Sequence, residues 1–407
     1  MYRKVLVLSL LIVGSLMAVP AAFAGGPEFV YVESNVQSAG GNAIYAFQRS
    51  ADGNLTLIHG SPFPAGGSGV QDASLALGPY DSDQNLIIDP SRQLLFAVNS
   101  GSDTIAVFHI NSDGSLHAVN GSPFPSGGTN PVSVGLAGDT LFVVNKNGDF
   151  PRVSSVLPNY TAFRVNHDGS LSPVKGSTVS VALGSSPSQA LVVPGTNLLF
   201  GADLFGGLMQ SFRFDGDGHL HQNQPTALPP SEFPDPTAPR WPLGLITHPR
   251  LPLLYVGFVT INRLGVYRFD GDGHLHFLRS APNSGVAICW LRTNRSGTRL
   301  YTSNTASATG DTSSVSVYDT SDPDNPRELQ TVLLTGQGNA RQIELSGDGR
   351  SLYVITGRFS PLIPNGQGNA LHIFDIGSDG LVEEKTPIQL PVPAGTLSQG
   401  VAVYTPL

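Results

Sequence analysis

Short apolar, strand-like runs, broken by polar turns, recur along the whole chain. The clearest copies are Phe29-Val30-Tyr31-Val32, Leu94-Leu95-Phe96-Ala97-Val98, Leu141-Phe142-Val143-Val144, Leu198-Leu199-Phe200, Leu253-Leu254-Tyr255-Val256, Leu300-Tyr301-Thr302 and Leu352-Tyr353-Val354-Ile355. A polar loop follows each copy, then a second alternating run such as Thr104-Ile105-Ala106-Val107-Phe108, a tight turn and a third run. Period-two alternation predicts strands, and past the first residues no window sustains the 3.6-residue spacing of an amphipathic helix.

The turns repeat as strictly as the strands. Asp52-Gly53, Asp113-Gly114, Asp168-Gly169, Asp217-Gly218, Asp272-Gly273 and Asp379-Gly380 each precede a leucine within two residues. The sixth repeat substitutes Asp322-Pro323-Asp324-Asn325-Pro326. Asp-Gly supplies the positive backbone angles of a two-residue hairpin, so each pair marks a strand reversal. Ahead of most copies lies one more apolar run, as in Leu86-Ile87-Ile88-Asp89-Pro90 or Ile343-Glu344-Leu345. The unit is therefore four strands, and it occurs seven times.

The first unit has no innermost strand of its own, but the chain ends on Gln399-Gly400-Val401-Ala402-Val403-Tyr404, which reads as one. Strands of this kind need neighbours on both faces, and radial repetition leaves only short edges exposed. The expected fold is an all-β, seven-bladed β-propeller of four-stranded antiparallel blades, its ring closed by the C-terminal strand. The 47 glycines and 32 prolines are the punctuation of such a fold.

Residues 1–24 read as a secretory signal peptide: two cations, an apolar run, then Pro20-Ala21-Ala22-Phe23-Ala24. The expected organisation is this leader and one propeller domain over 25–407, periplasmic or secreted, with no membrane insertion. Cys289 is the single cysteine, so an internal disulfide is ruled out and packing must hold the fold. Without the leader, 20 basic residues face 30 acidic ones. That balance speaks against nucleic acid as a partner.

The Leu-Tyr-Val strand, the Asp-Gly-Leu turn and the clause Ala340-Arg341-Gln342-Ile343 ahead of Ser346-Gly347-Asp348-Gly349-Arg350 resemble the 6-phosphogluconolactonase-like propellers with YVTN-type repeats. The resemblance spans essentially the whole chain after the leader. It implies a ligand approached from the face that carries the loops between second and third strands and those leading from one unit's outermost strand to the next unit's innermost. In that family the clause commonly reads proline or alanine, arginine, histidine and an apolar residue, and here Gln342 stands at the histidine. Glutamine cannot accept a proton at neutral pH.

Arg341 and Glu344 are the candidate catalytic residues. The guanidinium suits a carboxylate or a developing oxyanion, or a loop salt bridge. Glu344 interrupts an apolar innermost strand, where an acid needs a partner, and reads equally as a base or as half of an inter-blade ion pair. Arg240 and Trp241, in the equivalent loop of the fifth repeat, and Gln342 are candidate ligand contacts, although Trp241 could simply pack between blades. Asn35, Asn99, Asn145, Asp203 and Asn304 end second strands on one face. They either ring a polar mouth or stabilise turns.

The twin segments from Asp215 to His221 and from Asp270 to His276 offer alternate acids and histidines, but they occupy the position of plain Asp-Gly turns and lack the remaining ligands of a calcium loop. No metal or cofactor is expected. Cys289, on an innermost strand, reads as an inert buried thiol. Two functions compete: hydrolysis of a lactone or related cyclic ester at the central mouth, and non-catalytic binding of a carbohydrate-like ligand or a protein partner.

Overall fold

Each of the seven apolar copies forms the second strand of an antiparallel sheet in the computed structural model, which describes residues 27–70, 81–146, 157–306, 312–336, 338–357, 368–393 and 396–406. The signal peptide expected at residues 1–24 lies outside the described residues. Seven sheets follow one another around an axis, each built of four strands in chain order from the innermost outwards. The ring is closed as expected: Gln399–Tyr404 is the innermost strand of blade 1, pairing with Glu28–Glu33 in a register that sets Phe29 opposite Tyr404 and Val32 opposite Val401. The one helical element that lies wholly within the described residues is a single 3₁₀ turn, Val259–Ile261.

The repeated motifs explain each other once the blades are side by side. The tyrosine of the Leu-Tyr-Val strand reaches sideways and donates its hydroxyl to the turn of the next blade, as in Tyr31 to the Gly114 carbonyl (2.9 Å), Tyr255 to that of Pro323 (2.9 Å) and Tyr301 to that of Gly380 (3.1 Å). A buried hydroxyl needs a partner, and the turn offers a carbonyl that no ladder uses. The two halves of the motif are thus the two ends of one inter-blade tie.

In five blades the outermost strand is split in two. At the break the third strand has a backbone N–H with no ladder partner, and a serine hydroxyl accepts it: Ser61 from Ala46, Ser122 from Val107, Ser177 from Ala162, at 2.8 to 3.0 Å. The copied sequence Gly-Ser-Pro-Phe-Pro at 60–64 and 121–125 is this device.

The innermost strands carry a further irregularity. Register shifts interrupt the pairing at Gly400, between Pro131 and Ser133, between Leu243 and Leu245, between Ile288 and Trp290, and between Ala340 and Ile343. A bulge re-aims the side chains beside it. Five bulges at one level of a ring therefore turn residues such as Trp290, Arg341 and Gln342 towards the axis.

Candidate functional site

The axis of the propeller is blocked. Residues 81–85, which lead into the innermost strand of blade 2 (Leu86–Asp89), are fastened to blades on the other side of the ring. The carbonyl of Ser82 accepts the indole N–H of Trp290 at 2.9 Å and a hydrogen bond from the amide of Gln342. Asp83 receives two bonds from Arg292, at 2.7 and 3.2 Å. Asp83 N–H donates to the Ser188 carbonyl at 3.1 Å, and Gln84 accepts from Val134 N–H at 2.9 Å and from the Gln189 side chain at 3.0 Å. Blades 2, 3, 4, 6 and 7 thus share one plug, which divides the channel into a loop-face pocket and a turn-face cavity.

The loop-face pocket holds about 100 Å³ and is bordered by Asp81, Trp241, Cys289, Trp290, Thr305 and Arg341. Asp81 is 6 % exposed, Lys146 and Arg341 1 % each. The Lys146 ammonium is hydrogen-bonded to Asp81. Burial pushes the Asp81 carboxyl above its ordinary range, and the charges of Lys146 and Arg341 pull against that shift without cancelling it. Burial likewise pushes the Cys289 thiol up to about 12, with Thr305 donating to its sulfur at 3.2 Å. The opposite wall is kept small: a Cβ at Gly357 would stand 2.8 Å from Arg341 Nε.

The turn-face cavity is larger, about 550 Å³, and its innermost wall carries Gln84, Gln189, Arg292 and Glu344. Here the structure separates the two residues that sequence reading paired for catalysis. Arg341 faces the loop side, whereas Glu344 binds Arg292 at 2.9 Å on the turn side, with the plug between them. Three residues along a strand that runs with the axis span roughly 10 Å. Of the two readings left open for Glu344, the inter-blade ion pair between blades 6 and 7 is what the structure contains.

The polar strand ends line neither axial cavity. Asn35 donates to the carbonyls of Val70 and Leu397, both at 3.0 Å, and Asn99 to Ala65 at 3.0 Å. Asn145 bonds Ser126 and Asn159, Asp203 accepts the backbone of Ser186 and Gly206, and Asn304 donates to Ser314 and Ser316. All five are buried, and the hydrogen bonds they make fasten loops. Gln342 is consumed in the plug, its carbonyl oxygen taking the Gly400 N–H at 3.0 Å. Arg240 points away from the pocket to the Phe233 carbonyl at 3.4 Å, while its neighbour Trp241 reaches the pocket and meets Phe205 edge-on. Asp215 and Asp270 each accept backbone amides of their own turns and the ring of the following histidine, at 3.2 and 3.0 Å.

Sequence reading missed Asp81, Asp83, Lys146, Trp290 and Arg292. One signal was available: Arg292 and Glu344 interrupt the innermost strands of consecutive repeats with opposite charges. For Asp81 and Lys146, 65 residues apart, no local pattern announces the pairing.

The architecture is that of a seven-bladed propeller, and in fold it is similar to solved structures named as lactonases. The chain superposes on a candidate 6-phosphogluconolactonase of Bacteroides uniformis with a TM-score of 0.69 at 15% identity, covering 93% of this chain and 99% of that one. A second candidate 6-phosphogluconolactonase, from Bacteroides fragilis, gives 0.66 at 16%, covering 90% and 96%. The periplasmic gluconolactonase of Pseudomonas aeruginosa gives 0.65 at 17%, covering 92% and 99%. The sequence matches no known family model and no curated protein.

Proposed function

We propose that this protein is an exported hydrolase of unphosphorylated lactones, acting in the loop-face pocket. The observation that carries the reading is Asp81: a buried carboxyl with raised proton affinity, bordering the same small pocket as the Arg341 guanidinium. In this mechanism Asp81 takes a proton from water as the water oxygen attacks the lactone carbonyl. Arg341 stabilises the oxygen anion of the tetrahedral adduct. Collapse of the adduct breaks the ring C–O bond, and the leaving alkoxide takes the proton held by Asp81, so that one water is consumed and a hydroxy acid leaves. Lys146 holds Asp81 in place, and Trp241 and Trp290 present flat apolar walls to a ring.

Gln342 cannot supply the base that a histidine would at that position, and the role passes to Asp81. Support for an exported enzyme comes from the leader read at residues 1–24 and from the likeness in fold to a periplasmic gluconolactonase.

The test is pH-stat hydrolysis of a panel of unphosphorylated lactones by the wild type, Asp81→Asn and Arg341→Ala. Turnover that falls at least a hundredfold in both variants supports the assignment. If the wild type exceeds buffer on no lactone, the enzyme reading fails and non-catalytic binding replaces it.

A further inference from the structure

The mechanism leaves the larger of the two axial cavities without a role. Its volume of about 550 Å³ lies inside the range of roughly 300 to 1,000 Å³ typical of small-molecule sites. The walls are aliphatic and come from different blades: Ile88, Leu191, Ile246, Leu345 and Val403. The far end is polar and is made by Gln84, Gln189, Arg292 and Glu344.

We propose that this turn-face cavity is a second binding site, for a neutral amphipathic molecule that enters with a hydroxyl- or amide-bearing head first and lays an aliphatic body along the walls. The electrostatics select the class. Arg292 is saturated by Asp83 and Glu344, with a further bond to the Leu291 carbonyl at 2.8 Å. The polar end therefore carries no uncompensated cation to attract an anion. An ammonium head would have to compete with Arg292 for Glu344. An anion would lose hydration and meet two carboxylates held by a single guanidinium, and an ammonium would give up its own hydration to share carboxylates that Arg292 already holds. Arg295 stands exposed at the rim, where solvent screens it.

A neutral head finds hydrogen bonds ready. Gln84 accepts from Gln189 through its oxygen, which leaves its amide nitrogen without a protein partner among the described residues. Glu344 Oε1 accepts only the backbone N–H of Leu345, at 2.9 Å, and retains capacity for a hydroxyl. Both residues line the polar end of the same cavity, one offering a donor and the other an acceptor. The plug keeps this site apart from the loop-face pocket, so occupancy does not depend on the lactonase reading.

The experiment is isothermal titration of the purified protein with hexyl β-glucoside, hexanoate and hexylammonium, in parallel, below any micelle concentration. The expected result is saturable one-to-one binding of the glucoside, at least tenfold tighter than either ion. Ile246→Trp, which fills the cavity, should abolish the heat, and Glu344→Gln should weaken binding several-fold at unchanged stoichiometry. Leu345→Trp serves as the filling variant if Ile246→Trp fails to fold. The proposal is overturned if the glucoside does not saturate, if an ion binds more tightly, or if filling the cavity leaves binding unchanged. Because the readout is heat of binding and not turnover, a protein inactive on every lactone can still pass this test.

Discussion

Asp83 and Arg292 lie 209 residues apart in the chain and meet on the propeller axis at 2.7 Å. Through this pair, blade 6 holds the segment that enters blade 2, and with it the backbone that carries Asp81 two residues earlier. Removing one partner of a buried ion pair strands the other charge, at a typical cost of about 3 to 5 kcal/mol. Arg292→Met should therefore lower the thermal midpoint markedly. It should also loosen the plug, which is checked by the rate at which the single thiol, Cys289, reacts with a disulfide reagent.

Native Cys289 should itself be unreactive. A buried thiol pushed up to about 12 is scarcely ionised at pH 8, and the thiolate is the reacting species. Labelling of the wild type at pH 8 should be at least a hundredfold slower than labelling of the unfolded chain. A fast native reaction would mean that the loop-face pocket opens readily.

Gly357 is small because Arg341 needs the space. Its backbone angle is not in the left-handed region, so alanine is conformationally acceptable, yet the new Cβ would press on the guanidinium at 2.8 Å. Gly357→Ala should fold with a midpoint within a few degrees of the wild type while lactone turnover falls about tenfold or more. Parallel melting and pH-stat assays separate the two effects.

Glu33 is fully buried, and burial raises its carboxyl well above its ordinary 4.5, the Asn42 amide at 2.6 Å offsetting only part of the shift. The folded protein then holds a proton that the unfolded chain releases above about pH 4.5. Stability must fall as pH rises from there towards the folded value, because the unfolded state binds fewer protons across that window. Glu33→Gln keeps the acceptor for Asn42 and removes the ionisable group. It should stabilise the protein at pH 8 and flatten the pH dependence. Denaturant melts at pH 5 and pH 8 provide the measurement; equal stabilities of the two proteins at pH 8 would falsify the account.

Tyr255→Phe removes an inter-blade tie and leaves the Pro323 carbonyl without its tyrosine partner. Loss of one such bond costs roughly 0.5 to 1.5 kcal/mol. A comparable loss at Tyr301, measured by the same melts, would show that the tie is a property of the repeat and not of one blade.

Strand identity, blade number, turn positions and ring closure were all legible in the residues, because each rests on local rules: period-two alternation, Asp-Gly turn chemistry and an orphan strand at the C-terminal end. Even the tyrosine ties were implicit in the motif, although their partners were not. Arg341 and Trp241 could be placed near one mouth because they occupy equivalent positions in repeats seven and five. What tertiary structure alone decided is the site. Asp81 meets Lys146, and Asp83 meets Arg292, only because a ring brings blades from distant parts of the chain to one axis. Whether a polar residue such as Gln342 or Asn99 serves a ligand or fastens a loop depends on which neighbours reach it first, and that competition is settled by packing in three dimensions and not by any pattern along the chain.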